Sequence, residues 1–245
     1  MYSEGVSREN TNILLKSIEE RKGQVKKMQK KDTVIFDLDG TLLDTLDDLK
    51  NSVNYALESN GYPARTKDEV RRFVGNGILL LMQRALPSGQ ENPDFDKVFA
   101  CFKEHYGIHC NDLTKPYDGI MDLLKYLKEK GIKMAIVSNK ADFAVKELSE
   151  IYFKGIIPVA IGEKESEGIR KKPAPDTVME ALRQLGSTAE NAVYVGDSEV
   201  DLATAKNCGM DYILCEWGFR ERKKLEELGG KVFVKEPSEI ADLLL

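Results

Sequence analysis

Histidine is scarce in this sequence: the 245 residues include two, His105 and His109. With Cys101 they share a four-residue spacing that would put all three on one face of a helix. A zinc site would need a fourth ligand and usually has a tighter spacing. We therefore interpret both histidines as incidental residues of a helix, and we predict that catalysis does not depend on histidine.

Cysteine and long apolar runs are also scarce. The four cysteines show no CxxC pairing and are too few for a disulfide scaffold. No apolar run approaches the ~20 residues needed to cross a bilayer. The first residues lack the apolar block and small-residue cleavage site of a secretory signal. We expect a cytoplasmic protein with reduced thiols and no membrane association.

Positive charge is not in excess either, because 36 Lys and Arg residues face 41 Asp and Glu residues, for a net charge of −5. This balance gives no reason to expect a nucleic-acid partner. Apolar residues make up 42% and charged residues 31%, which is typical of a globular protein. The length accommodates one large domain, or a core with a smaller companion.

Residues 1–31 differ from the rest of the chain. Leu14, Ile18, Val25 and Met28 recur at helical spacing among lysines and glutamates, and VKKMQKK closes the segment. We predict a helical N-terminal extension, either solvated or in contact with a partner. The protein could accordingly be a monomer or a homodimer.

From Thr33 onward, short β-branched runs alternate with helical stretches, except between residues 46 and 115. The runs are TVIFD, KMAIVSN, PVAIG, AVYVGD, DYILC and KVFV. Apolar strands separated by helices indicate a parallel sheet covered on both faces. We predict an α/β fold with a Rossmann-like three-layer core formed by residues 32–45 and 116–245.

Residues 46–115 interrupt this alternation, because their pattern predicts consecutive helices without a strand. We predict that they form a small α-helical cap domain over the strand ends. Asp47 and Asp48 fall in the first turn of the first cap helix, where acidic residues favour the helix dipole. We interpret both as helix starters rather than as catalytic acids.

The first strand ends on two aspartates, Asp37 and Asp39, followed by Gly40. Two carboxylates at one strand end repel each other unless a cation or a proton reconciles them. The pair is therefore a candidate Mg²⁺ site, although two exposed turn aspartates would give the same pattern. A calcium loop is excluded because the glycine comes too early and no glutamate closes the loop.

Later strand ends carry matching polar groups. Ser138 and Asn139 end one strand and offer a hydroxyl and an amide to phosphate oxygens. Asp197 ends another, with Asp201 four residues further on. Lys172 precedes a proline and could neutralise both a carboxylate and a phosphate. In parallel sheets, ligands bind beyond the carboxyl ends of the strands, where these side chains would meet.

Four successive stretches resemble the motifs of the haloacid dehalogenase superfamily: FDLDGTLLDT, VSNK, KKPAPD and GDSEVDLATAKNCGM. The resemblance runs from Thr33 to about Leu245, and the helical insertion resembles the superfamily's cap. Within the superfamily the chain is most similar to the phosphoglycolate phosphatases, through DGTLLDTLDDL, RRFVGNG, TKPYDGI and WGF. The implied substrate is a small phosphorylated metabolite.

The resemblance implies a role for each catalytic residue. Asp37 would be the nucleophile that forms an aspartyl-phosphate. Asp39 would protonate the leaving group and then activate water. Ser138 and Asn139 would bind the transferring phosphoryl group, and Lys172 would offset its charge.

The resemblance also implies a metal set and a substrate loop. Asp37, the backbone carbonyl of Asp39, and Asp197 would hold Mg²⁺, with Asp201 in support. The loop Gly75, Asn76 and Gly77 would face the active site and bind substrate.

Several alternatives stay open. A pyrophosphatase, nucleotidase, sugar phosphatase or hexose-phosphate mutase of the same superfamily would share these motifs. Mutases of this type generally carry a histidine soon after the first motif, which this sequence lacks. Dehalogenases lack the second aspartate, whereas Asp39 is present. A catalytically silent binding module is the non-enzymatic alternative.

Overall fold

A computed structural model describes residues 31–245 of the protein. The predicted helical extension over residues 1–31 lies, except for Lys31, outside the described residues. The described chain contains a six-stranded sheet, whose strands lie side by side in the order Val159–Glu163, Lys133–Ala141, Thr33–Phe36, Ala192–Gly196, Asp211–Cys215 and Phe233–Val234. Each neighbouring pair in this sheet is parallel, which confirms the predicted α/β fold.

The strands and helices follow the alternation seen in the sequence. The sheet strands are β1 Thr33–Phe36, β4 Lys133–Ala141, β5 Val159–Glu163, β6 Ala192–Gly196, β7 Asp211–Cys215 and β8 Phe233–Val234. The helices between and after them are α5 Ile120–Glu129, α6 Asp142–Phe153, α7 Asp176–Leu185, α8 Glu199–Asn207, α9 Arg222–Glu227 and α10 Ser238–Leu244.

Both faces of the sheet are buried because successive strand residues point to opposite sides. In β1, Val34 and Phe36 belong to a hydrophobic cluster that includes residues of α5, α6 and α10. Ile35, between them, belongs to a second cluster that includes residues of α7 and α8. Each strand must therefore be apolar at nearly every position, as the sequence has it.

Residues 46–109 form four helices: α1 Leu46–Glu58, α2 Lys67–Phe73, α3 Ile78–Ala85 and α4 Phe95–His109. These helices have their own hydrophobic cluster, with Val53, Leu57, Val98 and Phe102 among its fully buried members. A two-stranded antiparallel ribbon stands at the base of the insertion, where β2 (Leu43–Asp44) pairs with β3 (Lys115–Pro116). The boundaries 46–115 for a separate cap domain stay a prediction.

Asp48 does more than begin a helix. It lies in the first turn of α1, as expected, but it is 2% exposed. Its carboxylate accepts hydrogen bonds from the Leu113 and Thr114 amides at 2.8–3.0 Å and from the Thr114 hydroxyl at 2.8 Å. The interpretation of Asp48 as a helix starter is thus confirmed, and its side chain also ties the start of the helical insertion to its end.

The histidines lie on α4, as the spacing predicted. The rings of His105 and His109 are 4.3 Å apart, and each ring bonds through Nδ1 to a side chain of its own, Ser52 and Asp112 respectively. In residues 31–245, no helix combines the length and apolar character that crossing a membrane requires.

Candidate active site

A cavity of about 40 Å³ lies at the carboxyl ends of β1, β4 and β6, beneath the helical insertion. Its lining combines two groups of residues. Polar residues come from the six-stranded sheet, its loops and the helices that pack on it, which together are called the sheet domain. The others come from α1, α3 and α4. The predicted site residues that line it are Asp37, Asp39, Gly75, Gly77, Ser138, Asn139, Lys172 and Asp197. A volume of this size holds a few water-sized groups, so the cavity suits a small ligand.

Lys172 is the centre of a buried ion cluster at this edge of the sheet. Its Nζ donates to Oδ1 of Asp37 and to Oδ1 of Asp201, each at 2.8 Å. It also donates to the Tyr194 hydroxyl at 2.9 Å. Because Lys172 is 3% exposed, water screens these contacts poorly and the ion pairs hold the carboxylates in place.

Asp201 is oriented by the start of α8. Its Oδ2 accepts from the Ser198 hydroxyl at 2.6 Å and from the backbone amides of Asp197 and Ser198. Ser198 in turn accepts from the Asp201 amide, which completes a capping box. The aspartate four residues after the strand end is therefore fixed by local helix chemistry.

Asp197 is held by two hydrogen bonds and is closely approached by two glycines. Its Oδ1 accepts from the Thr41 hydroxyl at 3.0 Å, and its Oδ2 accepts from the Phe219 amide at 2.7 Å. A Cβ on Gly40, whose φ is +87°, would come within 2.6 Å of the Asp197 carboxylate. A Cβ on Gly218 would come within 2.3 Å of the Asp197 Cβ. Both glycines are needed because the backbone approaches the carboxylate so closely.

The electrostatics of the cluster are unbalanced. Burial, reinforced by the charge of Asp201, raises the pKa of Asp37 well above its usual range. Burial and Asp201 likewise raise the pKa of Asp197 to about 7. Burial opposes ionisation of Asp201 too, but the Lys172 ammonium and several hydrogen bonds hold its pKa below the ordinary value. Asp37 and Asp197 are therefore costly to ionise unless further positive charge is present.

The donor set fits a divalent metal ion. Asp37, Asp197 and Asp201 each offer a carboxylate oxygen, and these oxygens lie within 4.8 Å of one another. With all three carboxyl groups ionised, the one ammonium of Lys172 would leave an excess of two negative charges in a buried place, which a divalent cation would offset. Carboxylate oxygens are the ligands that hard cations prefer.

Ser138 and Asn139 lie beside the cluster on β4, with 3% and 7% exposure. The Asn139 amide nitrogen donates to the carbonyl of Lys172 at 3.0 Å and to the carbonyl of Gly75 at 3.3 Å. The Asn139 Oδ1 is buried and has no hydrogen-bond partner among the described residues.

The glycine-flanked loop is only partly directed at the cavity. Gly75 and Gly77 line it. The Asn76 side chain instead accepts a hydrogen bond from Arg84 at 2.9 Å.

Sequence reasoning missed two contributors, Lys140 and Tyr106. Lys140 is 5% exposed, and its Nζ lies 3.1 Å from Oδ1 of Asp39. It also donates a hydrogen bond to the hydroxyl of Tyr106, on α4, and lies 4.8 Å from the centre of that ring. Burial opposes the charge of Lys140, but Asp39 and Tyr106 together raise its pKa above the usual range. The position of Lys140 directly after Ser138 and Asn139 could have indicated a place in the site, whereas the sequence around Tyr106 gave no such indication.

Arg220 is a third missed contributor. It donates to both carboxylate oxygens of Glu199, at 2.7 and 3.1 Å. It also donates to the carbonyls of Arg71 at 2.8 Å and Val74 at 2.5 Å, at the end of α2. Arg220 therefore links the sheet domain to the helical insertion at the rim of the cavity.

Comparison with known proteins agrees with this architecture. Among relatives, the chain is 32% identical over 194 residues to a phosphoglycolate phosphatase of Mesorhizobium japonicum, covering 77% of this chain and 84% of the relative. It is 32% identical over 187 residues to the phosphoglycolate phosphatase of Aquifex aeolicus, covering 76% and 85%. These relatives span most of the chain.

A crystal structure from Lactobacillus delbrueckii subsp. bulgaricus, provisionally assigned as a phosphoglycolate phosphatase, superposes with a TM-score of 0.84 at 37% identity. The superposition covers 89% of this chain and 99% of that one. The family profile described as haloacid dehalogenase-like hydrolase matches residues 34–215. The resemblance seen in the sequence is thus confirmed, and the chain belongs to the haloacid dehalogenase-like hydrolase family.

Proposed function

We propose that this hydrolase is a Mg²⁺-dependent phosphatase that cleaves a small phosphomonoester through an aspartyl-phosphate, with 2-phosphoglycolate as the leading substrate. The observation that carries the proposal is the buried cluster of Asp37, Lys172, Asp197 and Asp201, three of which line a small cavity. The names of the relatives from Mesorhizobium and Aquifex support the choice of substrate.

In the first step, a carboxylate oxygen of Asp37 attacks phosphorus and the ester P–O bond breaks. Lys172 fixes the Asp37 carboxylate through a hydrogen bond of 2.8 Å, and it also donates to Asp201. Its positive charge stabilises the negative charge that gathers on the transferring group. Ser138, with Asn139 beside it, would bind the oxygens of that group, and the Asn139 side-chain amide holds the carbonyls of Lys172 and Gly75 next to them.

Asp39 has the proton-transfer role. As a carboxylic acid it would give its proton to the leaving oxygen in the first step. As a carboxylate it would then take a proton from the water that attacks the aspartyl-phosphate, so that inorganic phosphate leaves and Asp37 is restored. Its position two residues after the nucleophile, at 15% side-chain exposure, allows it to meet both the leaving group and water.

Asp37 and Asp197, with the backbone carbonyl of Asp39, would hold the metal ion. Asp201 suits a supporting role because, unlike Asp37 and Asp197, it does not line the cavity. When bound, the ion would supply positive charge that lets the carboxylates ionise together and that draws charge from the phosphoryl oxygens.

The test is Asp37→Asn, assayed for Mg²⁺-dependent phosphate release on a panel of 2-phosphoglycolate, pyrophosphate, a nucleoside monophosphate and a hexose phosphate. We expect the wild type to prefer 2-phosphoglycolate and the variant to lose roughly 10⁴-fold or more in kcat, since the nucleophile is gone. Asp32→Asn is the matched control, because Asp32 precedes the same strand and is exposed. It should retain normal turnover.

Normal turnover in Asp37→Asn would mean that the nucleophile is misassigned. Formation of an isomerised sugar phosphate without free phosphate would favour a hexose-phosphate mutase. Absence of turnover on every substrate would favour the binding-module alternative. The completeness of the buried cluster speaks against that alternative.

We further propose that residues 46–115 act as a cap over a core of residues 32–45 and 116–245. The separate hydrophobic cluster of the four helices supports this division. A cytoplasmic location, a monomeric or homodimeric state, and a helical extension over residues 1–31 stay predictions of the sequence.

A further inference from the structure

Three cationic side chains line the cavity within the described residues, and their charges are compensated to different degrees. Lys172 contacts two carboxylates at 2.8 Å. Arg220 is engaged by the Glu199 carboxylate and by two backbone carbonyls. Lys140 contacts a single carboxylate, that of Asp39, and is otherwise bonded to a neutral phenol. Lys140 is therefore the cation best able to accept a further anion.

The position of Lys140 also separates it from the phosphoryl site. Lys172 bonds to Asp37, the proposed nucleophile, whereas Lys140 bonds to Asp39, the residue that would protonate the leaving oxygen. A group bound by Lys140 therefore lies on the side of the departing alcohol. Tyr106 brings α4 of the helical insertion to the same point.

We propose that Lys140, supported by Tyr106, is the specificity-determining residue that binds a carboxylate carried by the leaving group. This inference rests on the proposed phosphatase function and deepens it. An ammonium has three N–H donors, and Asp39 and Tyr106 account for two of them. A charge-assisted hydrogen bond to a carboxylate in so buried a place is stronger than one between neutral groups.

The surroundings of the pair also restrict the length of the leaving group. Behind Lys140 and Tyr106 lies an apolar chamber of about 130 Å³, lined by Ile78, Cys110 and Phe143 among others. Apart from Lys103, Tyr106 and Lys140, the residues that line this chamber offer almost no polar partner for a carboxylate that extends beyond the Lys140 ammonium. A short leaving group, whose anion stops at the Lys140 ammonium, therefore suits this surface better than a long one.

The experiment compares 2-phosphoglycolate with 2-hydroxyethyl phosphate, which has the same length but no carboxylate. The readout is the ratio of the two kcat/KM values, in wild type and in Lys140→Met. We expect the wild-type ratio to exceed about 10², because a site built to bind a polar substrate group strongly rejects an analogue that lacks it. Lys140→Met should lower this ratio by about 10²-fold, bringing it close to one.

Two further variants separate binding from structure. Lys97→Met is the matched control: Lys97 lies on α4, is exposed and lines neither the cavity nor the apolar chamber, so the wild-type ratio should persist. Tyr106→Phe retains the ring but removes the hydroxyl that bonds Lys140, so it should lower the ratio about three- to tenfold. An equal loss on both substrates in Lys140→Met would overturn the proposal, because it would mean that Lys140 acts only through Asp39 or the fold.

A second measurement needs no variant. Glycolate should inhibit the wild-type enzyme at least about 30-fold more tightly than ethylene glycol does, since only glycolate carries the anion. Equal inhibition would overturn the proposal. If the wild type releases phosphate from both esters without preference, the carboxylate site is wrong while the phosphatase stands. If it releases phosphate from neither, the proposed function itself has failed.

Discussion

The two buried lysines of the cavity differ in what surrounds them. Lys172 is enclosed by the sheet domain alone, with two aspartates and a tyrosine as partners. Lys140 donates hydrogen bonds to Asp39 of the sheet domain and to Tyr106 of the helical insertion. The first environment is complete without the insertion, and the second is not. The structure thus separates groups that would perform a fixed reaction from groups that would adapt to the substrate.

This difference predicts how each lysine contributes to stability. Removing one partner of a buried ion pair leaves an uncompensated charge and costs about 3–5 kcal/mol. Lys172→Met leaves two buried carboxylates without their cation, so it should lower the free energy of unfolding by about 3–5 kcal/mol. It should also lower kcat about 10³-fold or more, because the charge that stabilises the transferring group is gone. Urea unfolding at pH 7.5 and phosphate release measure the two effects.

Lys171→Met is the control for this prediction, because Lys171 is adjacent in sequence and pairs at the surface with Glu165. It should change both quantities little. Lys140→Met leaves one carboxylate that is partly in contact with solvent, so its stability loss should be about 1–2 kcal/mol. A larger loss for Lys140→Met than for Lys172→Met would reverse the comparison.

The buried carboxyl group of Asp197 predicts an unusual pH dependence of the folding stability. The pKa of Asp197 is about 7 in the folded protein because burial and Asp201 disfavour its charge, against an ordinary value of about 3.9 when unfolded. Between these pH values the folded state holds a proton that the unfolded state has lost. The stability of the metal-free protein should therefore fall as the pH rises from about 4 to about 7.

Thermal unfolding in EDTA, from pH 4.5 to 8, measures this effect in wild type and Asp197→Asn. We expect the wild-type Tm to fall relative to the variant by several degrees over that range, and saturating Mg²⁺ to diminish the gap at pH 8. The exposed Asp118→Asn should retain the wild-type slope. Parallel curves for wild type and Asp197→Asn would mean that Asp197 stays ionised throughout.

Most of the reaction centre could be predicted because its residues follow strands directly. Asp37 and Asp197 come one residue after β1 and β6, so parallel pairing brings them to one edge of the sheet. Lys172 could be named as a candidate from the sequence, but its position at the site depended on the family resemblance, since it lies in a loop that no periodicity positions.

The side of the cavity that the helices close was far less predictable. Tyr106 lies mid-helix in a stretch whose apolar spacing indicates only burial, and its contact with Lys140 joins residues 34 apart in sequence. Asp48 is a second example. Its place in the first turn of a helix explained an acidic residue there, and nothing in the sequence indicated its hydrogen bond to Leu113, 65 residues away. Contacts between two units depend on how the units dock, and local sequence patterns do not encode docking.

Arg220 gives the test with the smallest expected effect on activity. It belongs to the sheet domain but donates to two carbonyls at the end of α2, so it tests whether the helical insertion serves substrate binding alone. Arg220→Gln removes these donors while leaving the Lys172 cluster untouched. If closure by the helices serves substrate binding rather than chemistry, KM should rise about three- to tenfold and kcat should change less than about twofold. Arg222→Gln is the matched control, since Arg222 is half-exposed and pairs with Glu226 on its own helix. A fall in kcat with an unchanged KM would show instead that the helical insertion helps to set the reacting groups, and the division between the two lysine environments would no longer hold.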